Sequence, residues 1–539
     1  MKLRSIIPFL LVVLGLLAAP TEGQTQLESA WFHYDQSKRH IKERNLDKAL
    51  QEAKLMLELA PQMPEAEDLL GVIAALSGRL TEAETHFRRA LGIRPNFVPA
   101  HYNLATTYLN LSKPEMAKQE LEAVIRLNPK HAPAYYLLGV TLRDSKGSEA
   151  LSYFRRAREL EPSNVDVLKG LMECELILRQ VSAAEKTYQE IDLLVDGRDP
   201  RLLHIAASLA GHGAYASAIT AFQKVSHANP NSYDALYNLA LSYFLNHDLK
   251  KAELTLNQLL QQHKVAEAHN LLARVYESRG AYLEALAEYE KAAIVEGNNQ
   301  DYRFDYCLFL VQHRALGYAL SQLTSATKDF PRSGRLWAAL GAAHYLQSNY
   351  DQAFQAMLLA TEVEPALSQP YYYLGKLFER VETQSQKQIM NKLRGYIALN
   401  PNDPWAHYFY GSGLFQEQRA LETRDFSEAE RHIRKAIGLK HDLANAYFGL
   451  GLLYYEEGRV AESILEFQRA TQTAPTMHEA HYRLGIAYSR LGKKEKAQSE
   501  FDLQRKLRSQ ATEELNERRR EFFDVVPGMK SLVPEGIGK

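Results

Sequence analysis

The chain has very few of the residues that build metal clusters or redox sites. Two cysteines, Cys174 and Cys307, occur in 539 residues, and no Cys-x-x-Cys pair exists. That excludes zinc ribbons, dithiol redox motifs and c-type haem attachment. Neither a glycine-rich phosphate loop nor a Gly-x-Ser-x-Gly elbow is present, so the common signatures of nucleotide binding and acyl hydrolysis are missing. The formal net charge is -1, with acids and bases interspersed. A chain without a basic excess offers no electrostatic case for nucleic acid. No Gly/Ser-rich or Pro-rich linker divides the chain, although 539 residues exceed one compact domain. Beyond the first 23 residues, no apolar run is long enough to span a bilayer.

The N-terminus reads as a secretory signal. Lys2 and Arg4 precede the apolar run Ile6–Ala19, and the small residues Thr21 and Gly23 precede a cut ahead of Gln24. This predicts an exported chain, periplasmic or secreted. The alternative is an anchor formed by the same segment left uncleaved. The run is short of the ~20 residues a span prefers, which favours cleavage.

What the chain has instead is self-similarity. Pro61, Pro95 and Pro129 are spaced by 34 residues, and Pro162, Pro230, Pro331 and Pro365 continue the ruler. Each proline closes an apolar helical run, because it lacks an amide proton and clashes with the preceding turn. Twelve residues upstream stands a small side chain, as in Ala49, Ala83, Ala117, Ala150, Ala218, Ala319, Ala353 and Ser463. Further upstream is a pair such as Leu70-Gly71, Leu138-Gly139, Leu340-Gly341, Leu450-Gly451 or Leu484-Gly485. Small residues at two points let paired helices cross closely. A period of this length means a stacked array in which each unit buries its apolar face against its neighbours.

These residues resemble the tetratricopeptide repeat, with its W-x2-L-G-x2-Y, A-x3-F and P pattern. The resemblance covers about residues 30 to 511. Fourteen units open near Ala30, Pro64, Val98, Ala132, Val165, Asp199, Tyr233, Ala266, Gln300, Gly334, Ser368, Pro404, Ala444 and His478. It implies an all-α fold, a right-handed superhelical solenoid of about fourteen helix-turn-helix repeats, roughly two turns long. The first helix of each repeat would line the inner surface. The expected organisation is a signal peptide at 1–23, a lead at 24–29, and ten repeats over 30–367. Irregular repeats eleven and twelve follow at 368–443, and repeats thirteen and fourteen at 444–511. A charged capping helix at 512–523 and a disordered tail at 524–539 complete the chain. The eleventh repeat has the polar run 382–387 and Ile389 in place of alanine, and the twelfth has about six extra residues within 416–426. A longer helix and a looser loop account for them, with a hinge as the alternative.

Chemistry-bearing motifs are sparse. His478-Glu479-Ala480-His481 has its histidines three apart, where a zinc-protease helix needs four, and both read as surface residues. Cys174 and Cys307 lie four repeats apart, too distant for a disulfide in an array of neighbour contacts, and read as small buried hydrophobes. No catalytic residue, cofactor site or metal site is expected.

The functional signal is a second stripe on the first helices. Counting each opening residue as position one, positions 4, 7, 8 and 11 build the stack, whereas positions 2, 5, 9, 12 and 13 face away from it. Position 5 is aromatic in nine of the fourteen units, including Tyr34, Tyr102, Tyr136, Phe304 and Tyr482. One cluster gathers Tyr372, Trp405, Tyr408, Phe415, Phe448, Leu452 and Tyr455. A second gathers Leu203, Tyr237, Leu241, Phe244 and Leu245. Rings with polar handles anchor peptides well, because they bury large area at little entropic cost. The same rings could equally hold the stack together. The trio of basic and amide residues that the family uses to clamp a C-terminal carboxylate is absent, so apolar or aromatic segments are expected over acidic tails. The reading is a non-enzymatic scaffold that binds protein or peptide partners through this face, similar to exported repeat proteins that organise envelope assemblies. The alternative is a glycan-binding module, with Trp405 and the tyrosines stacking on sugars beside Glu379 and Gln416.

Overall fold

The computed structural model describes residues 22–419 and 425–510. The apolar signal core, the capping helix at 512–523 and the tail at 524–539 lie outside them. Every regular element among the described residues is helical. There are twenty-seven α-helices from Glu22–Lys42 to His478–Arg490, a 3-10 turn at Phe378–Arg380, and a terminal helical stretch over 494–510.

The third repeat shows why these residues fold this way. Its first helix, Val98–Asn110, carries proline in its first turn, where a missing amide proton costs nothing. It buries Ala100, Leu104, Ala105, Thr107 and Tyr108. Ser112 then adopts φ +57°, which turns the chain through a left-handed residue. The second helix, Pro114–Leu127, returns with Ala117, Leu121 and Val124 buried. Burying each such Leu fully is worth roughly 1.5–3 kcal/mol. The same left-handed turn recurs at Arg44, Gly78, Arg179, Gly213, His247, Gly280, Arg314, Ser348, Gly458 and Gly492. The side chain at the helix crossing is sealed in every repeat: Ala49, Ala184, Ala252, Ile389, Ala429 and Ser463 are 0% exposed. The glycine of the Leu-Gly pair is equally constrained. A Cβ on Gly71 would meet Phe87 at 2.6 Å, and one on Gly485 would meet Phe501 at 2.6 Å.

A second regularity went unread in the sequence. In five repeats, position 4 of the first helix hydrogen-bonds the carbonyl of the proline six residues earlier, through histidine, tryptophan or tyrosine. Trp337 Nε1 reaches Pro331 O at 3.0 Å, Tyr371 Oη reaches Pro365 O at 3.1 Å, and His101 Nε2 lies 2.9 Å from Pro95 O. At four of the five histidines in position 4, Nδ1 meets a glutamate nineteen residues on. His33–Glu52, His101–Glu120, His269–Glu288 and His481–Glu500 lie at 2.5–2.6 Å. Glu67 and His86 form the same pair reversed, at 2.6 Å. His481 therefore corrects the surface reading: it is 6% exposed, tied to Glu500 and to Pro475 O at 3.1 Å.

Three features sharpen the sequence expectation, among them the longer helix expected in the eleventh repeat. The lead at 24–29 is part of the opening helix, which runs for 21 residues. In the eleventh repeat the first helix stops early at Leu377, a 3-10 turn follows, and the polar run becomes the start of a 17-residue helix, Thr383–Leu399. The chain divides into two compact units, Met1–His247 and Asp248–Lys539. This division falls inside the seventh repeat, not at the irregular eleventh and twelfth.

Candidate binding face on the first helices

In the second unit, the eleventh and twelfth repeats assemble a wall of rings. Tyr372 meets Trp405 edge-on at 5.0 Å, and Trp405 meets Tyr408 at 6.1 Å. Phe409 joins them, stacked on Trp405 at 5.8 Å and edge-on to Tyr372 at 5.6 Å. The stripe counting missed Phe409 because it sits at position 6, between the stack and the outer stripe. Its ring occupies the space where a side chain at position 375 would be, so Gly375 is what admits it. Lys376 lies 4.9 Å above the Tyr372 ring. Burial pushes the Tyr408 phenol up, which keeps it neutral and able to donate.

Of the predicted residues, Tyr372, Trp405, Tyr408, Phe448, Leu452 and Tyr455 are half-buried. Phe415 is not part of this face. It is 7% exposed and packs on Phe426 at 5.1 Å among Ala429, Ile433 and Leu450. Phe415 is the twelfth residue of Pro404–Arg419, and Phe426, which follows the extra residues of this repeat, packs on it and closes it into the core. Tyr455 sits under the Arg490 guanidinium at 5.0 Å. Gln416 donates to Glu379, so the two polar side chains proposed for sugar contact are engaged with each other.

The second predicted cluster lies in the first unit, on Pro200–Gly211 and Tyr233–Leu245. Leu203, Tyr237, Leu241 and Phe244 are half-buried, and Leu245 is 38% exposed. Tyr237 stacks on Tyr233 at 5.7 Å with ring planes 16° apart. Elsewhere on this unit's first helices the contacts are polar: Asn103 Nδ2 donates to Asp68 at 2.9 Å. Burial raises the Asp68 carboxyl to about 6, partly offset by that hydrogen bond.

One hollow is not revealed by the sequence. A cavity of about 630 Å³ opens between the first helices of repeats nine, ten and eleven, lined by Phe304, Leu308, Val311, Arg314, Arg335, Ala338, Ala342, Leu346, Gln369 and Tyr373. Its floor exists because repeat ten carries alanine at positions 5 and 9, where its neighbours carry Phe304, Leu308 and Tyr372. Gln369 also borders a smaller hollow lined by Tyr372 and Trp405, so the cavity and the aromatic wall adjoin. Both cysteines are buried and unpaired, and burial pushes the Cys307 thiol up to about 12. Among the described residues no group of three or more His, Cys, Asp or Glu could hold a metal, and no helix is long and apolar enough to cross a membrane.

Models of the tetratricopeptide repeat match residues 34–96, 74–139, 209–275, 312–366, 418–478 and 478–504. The chain belongs to the tetratricopeptide-repeat family. Among its relatives is the BBSome complex member BBS4 homolog of Drosophila melanogaster, 21% identical over 66% of this chain and 67% of that protein. Superkiller protein 3 of Schizosaccharomyces pombe is 23% identical over 50% of this chain. The chain spans only 20% of that protein and 31% of the human Protein O-mannosyl-transferase TMTC3. The crystal structure of the APC/C hetero-tetramer Cut9-Hcn1 covers 90% of this chain and 94% of its own, at 14% identity and a TM-score of 0.36. Tetratricopeptide repeats are generally protein-binding scaffolds, and the BBS4 homolog is by name a member of a complex.

Proposed function

We propose that this repeat protein is a non-catalytic scaffold that holds an extended segment of a protein partner against its first helices. The observation that carries this reading is the cavity at Ala338 and Ala342, joined through Gln369 to the rings of Tyr372 and Trp405. A hollow of about 630 Å³ with apolar walls and a few polar groups falls in the range of ligand sites. Half-buried aromatic residues beside it supply the kind of anchor that dominates binding energy. The relatives' membership of protein complexes supports a protein as the ligand. The signal-like segment at 1–23 supports an exported location, checked by the N-terminal mass of the chain from its native source.

Photocrosslinking tests the face directly. A benzophenone side chain at Gln369 should trap a protein in native extract, whereas one at Leu465, 55% exposed on a second helix, should not. Trapping from Leu465 alone would move the binding surface to the second helices.

A further inference from the structure

The hollow in repeat ten has a chemical bias that the aromatic wall lacks. Both charged residues that line it are arginines, and no acidic residue lines it. The Arg335 guanidinium lies over the Phe304 ring at 4.1 Å, which fixes its plane at the cavity wall. Its one ion pair, Nη1 to Asp301 at 2.9 Å, joins two well-exposed side chains. Exposed pairs of that kind are weak, so Arg335 can exchange Asp301 for another carboxylate at little cost. Arg314 is exposed at the rim, and its side chain has no ion-pair or hydrogen-bond partner among the described residues. It stands at φ +56°, in the turn position that repeats two, six, eight, thirteen and fourteen give to glycine. A side chain there is strained by its Cβ, which glycine lacks.

We propose that this cavity is a socket for one large apolar side chain of a partner peptide, with Arg314 and Arg335 binding an aspartate or glutamate side chain next to it. The socket rests on the scaffold reading above and adds to it the chemistry of the segment. It also reverses the sequence expectation that this face disfavours acidic segments. The volume exceeds any single side chain, so the anchor enters with its flanking backbone. Gln312 and Gln369 border the hollow and offer amide donors and acceptors to that backbone. Arginine suits the task because its planar fork grips a carboxylate through two parallel hydrogen bonds.

The test uses the full chain and an arrayed library of twelve-residue peptides, acetylated and amidated so that no terminal carboxylate remains. The library varies one central residue among Trp, Phe, Leu and Ala, and its neighbours among Asp, Glu, Gln and Lys. Peptides with a large apolar residue beside an acid should be selected, with affinity falling as salt rises. Ala342→Phe should weaken them at least tenfold by filling the socket. Arg314→Gly should weaken them about tenfold while leaving thermal stability equal or higher, since it relieves the turn as it removes the charge. Selection without an acidic preference, or unchanged binding by Arg314→Gly, would overturn the proposal. So would self-association abolished by Ala342→Phe, which would assign the socket to a second copy. Crosslinking at Gln369 with no peptide preference would leave the scaffold standing and sink the socket alone.

Discussion

Repeats ten and twelve use one frame to opposite ends. In both, position 4 ties the first helix to the preceding proline, through Trp337 to Pro331 in one and His407 to Pro401 in the other. At position 2 the tenth has Arg335 and the twelfth Trp405; at position 5 they have Ala338 and Tyr408. The tenth thus opens a hollow with a basic rim, and the twelfth raises a wall of rings. The stack fixes where these positions point, and side-chain volume there decides whether the face is a socket or a ridge.

The pair behind each anchor differs as well. In repeat ten the residue opposite Trp337 is the buried Ala356, whereas His407 Nδ1 faces His432 Nδ1 at 2.8 Å. His407 Nε2 must donate to the Pro401 carbonyl, so its Nδ1 must accept from His432. This geometry requires His407 to be neutral, with His432 as the donor. Burial lowers His407, and burial with the neighbouring His407 lowers His432. Lys435 and Arg431 act in the same direction, while Asp403 and Glu428 oppose it. In repeat three the Glu120 hydrogen bond raises His101 instead.

Phe415→Ser breaks the comparison most severely, because it empties the core that holds the lengthened twelfth repeat. A loss of about 3–5 kcal/mol is expected, read by thermal or urea unfolding. Tyr455→Ser should cost under about 1 kcal/mol in the same assay, and equal losses would return Phe415 to the binding face. Gly375→Ala comes next. A Cβ there collides with Phe409, and overpacking of this kind costs about 1–3 kcal/mol. Loss of the ring wall should appear as faster hydrogen exchange in Pro404–Arg419.

Acid should separate the histidine pairs. The neutral pair of repeat twelve contributes stability above the unfolded histidine value of 6.5, and loses it as pH falls through the lowered folded values. His101 has the opposite sign: its contribution is full below 6.5 and is lost as pH rises through its raised value. Hydrogen exchange between pH 5 and 7.5 should therefore speed in repeat twelve on acidification, while repeat three is protected. His432→Glu recreates the His–Glu pair and should abolish the acid effect; unchanged acid sensitivity would sink this account. Smallest is Trp337→Phe, which keeps the ring and deletes one hydrogen bond to Pro331. About 1 kcal/mol is expected, and the cavity beside it should keep its peptide affinity.

The repeat frame was legible because its causes are local. Prolines end helices, small residues mark crossings, and the observed first helices start at Pro64, Val98, Ala132, Val165, Tyr233, Ala266 and onward, the same residues that open the units in the sequence. The aromatic stripe was legible by counting positions, and six of the seven residues in the larger cluster stand half-buried along it. Phe415 was misread because the extra residues after it bring Phe426 over its ring, and periodicity carries no warning of what an inserted segment covers. His481 was misread because a histidine near a helix start looks solvated until its glutamate, nineteen residues away, is brought across.

The sequence by itself determined the all-helical repeat array, its period and the helix starts, since each depends on contacts between residues close along the chain. Only the tertiary structure decided the socket. A hollow is made by what two alanines lack relative to residues on the neighbouring helices, and that absence acquires shape only when the three helices stand side by side.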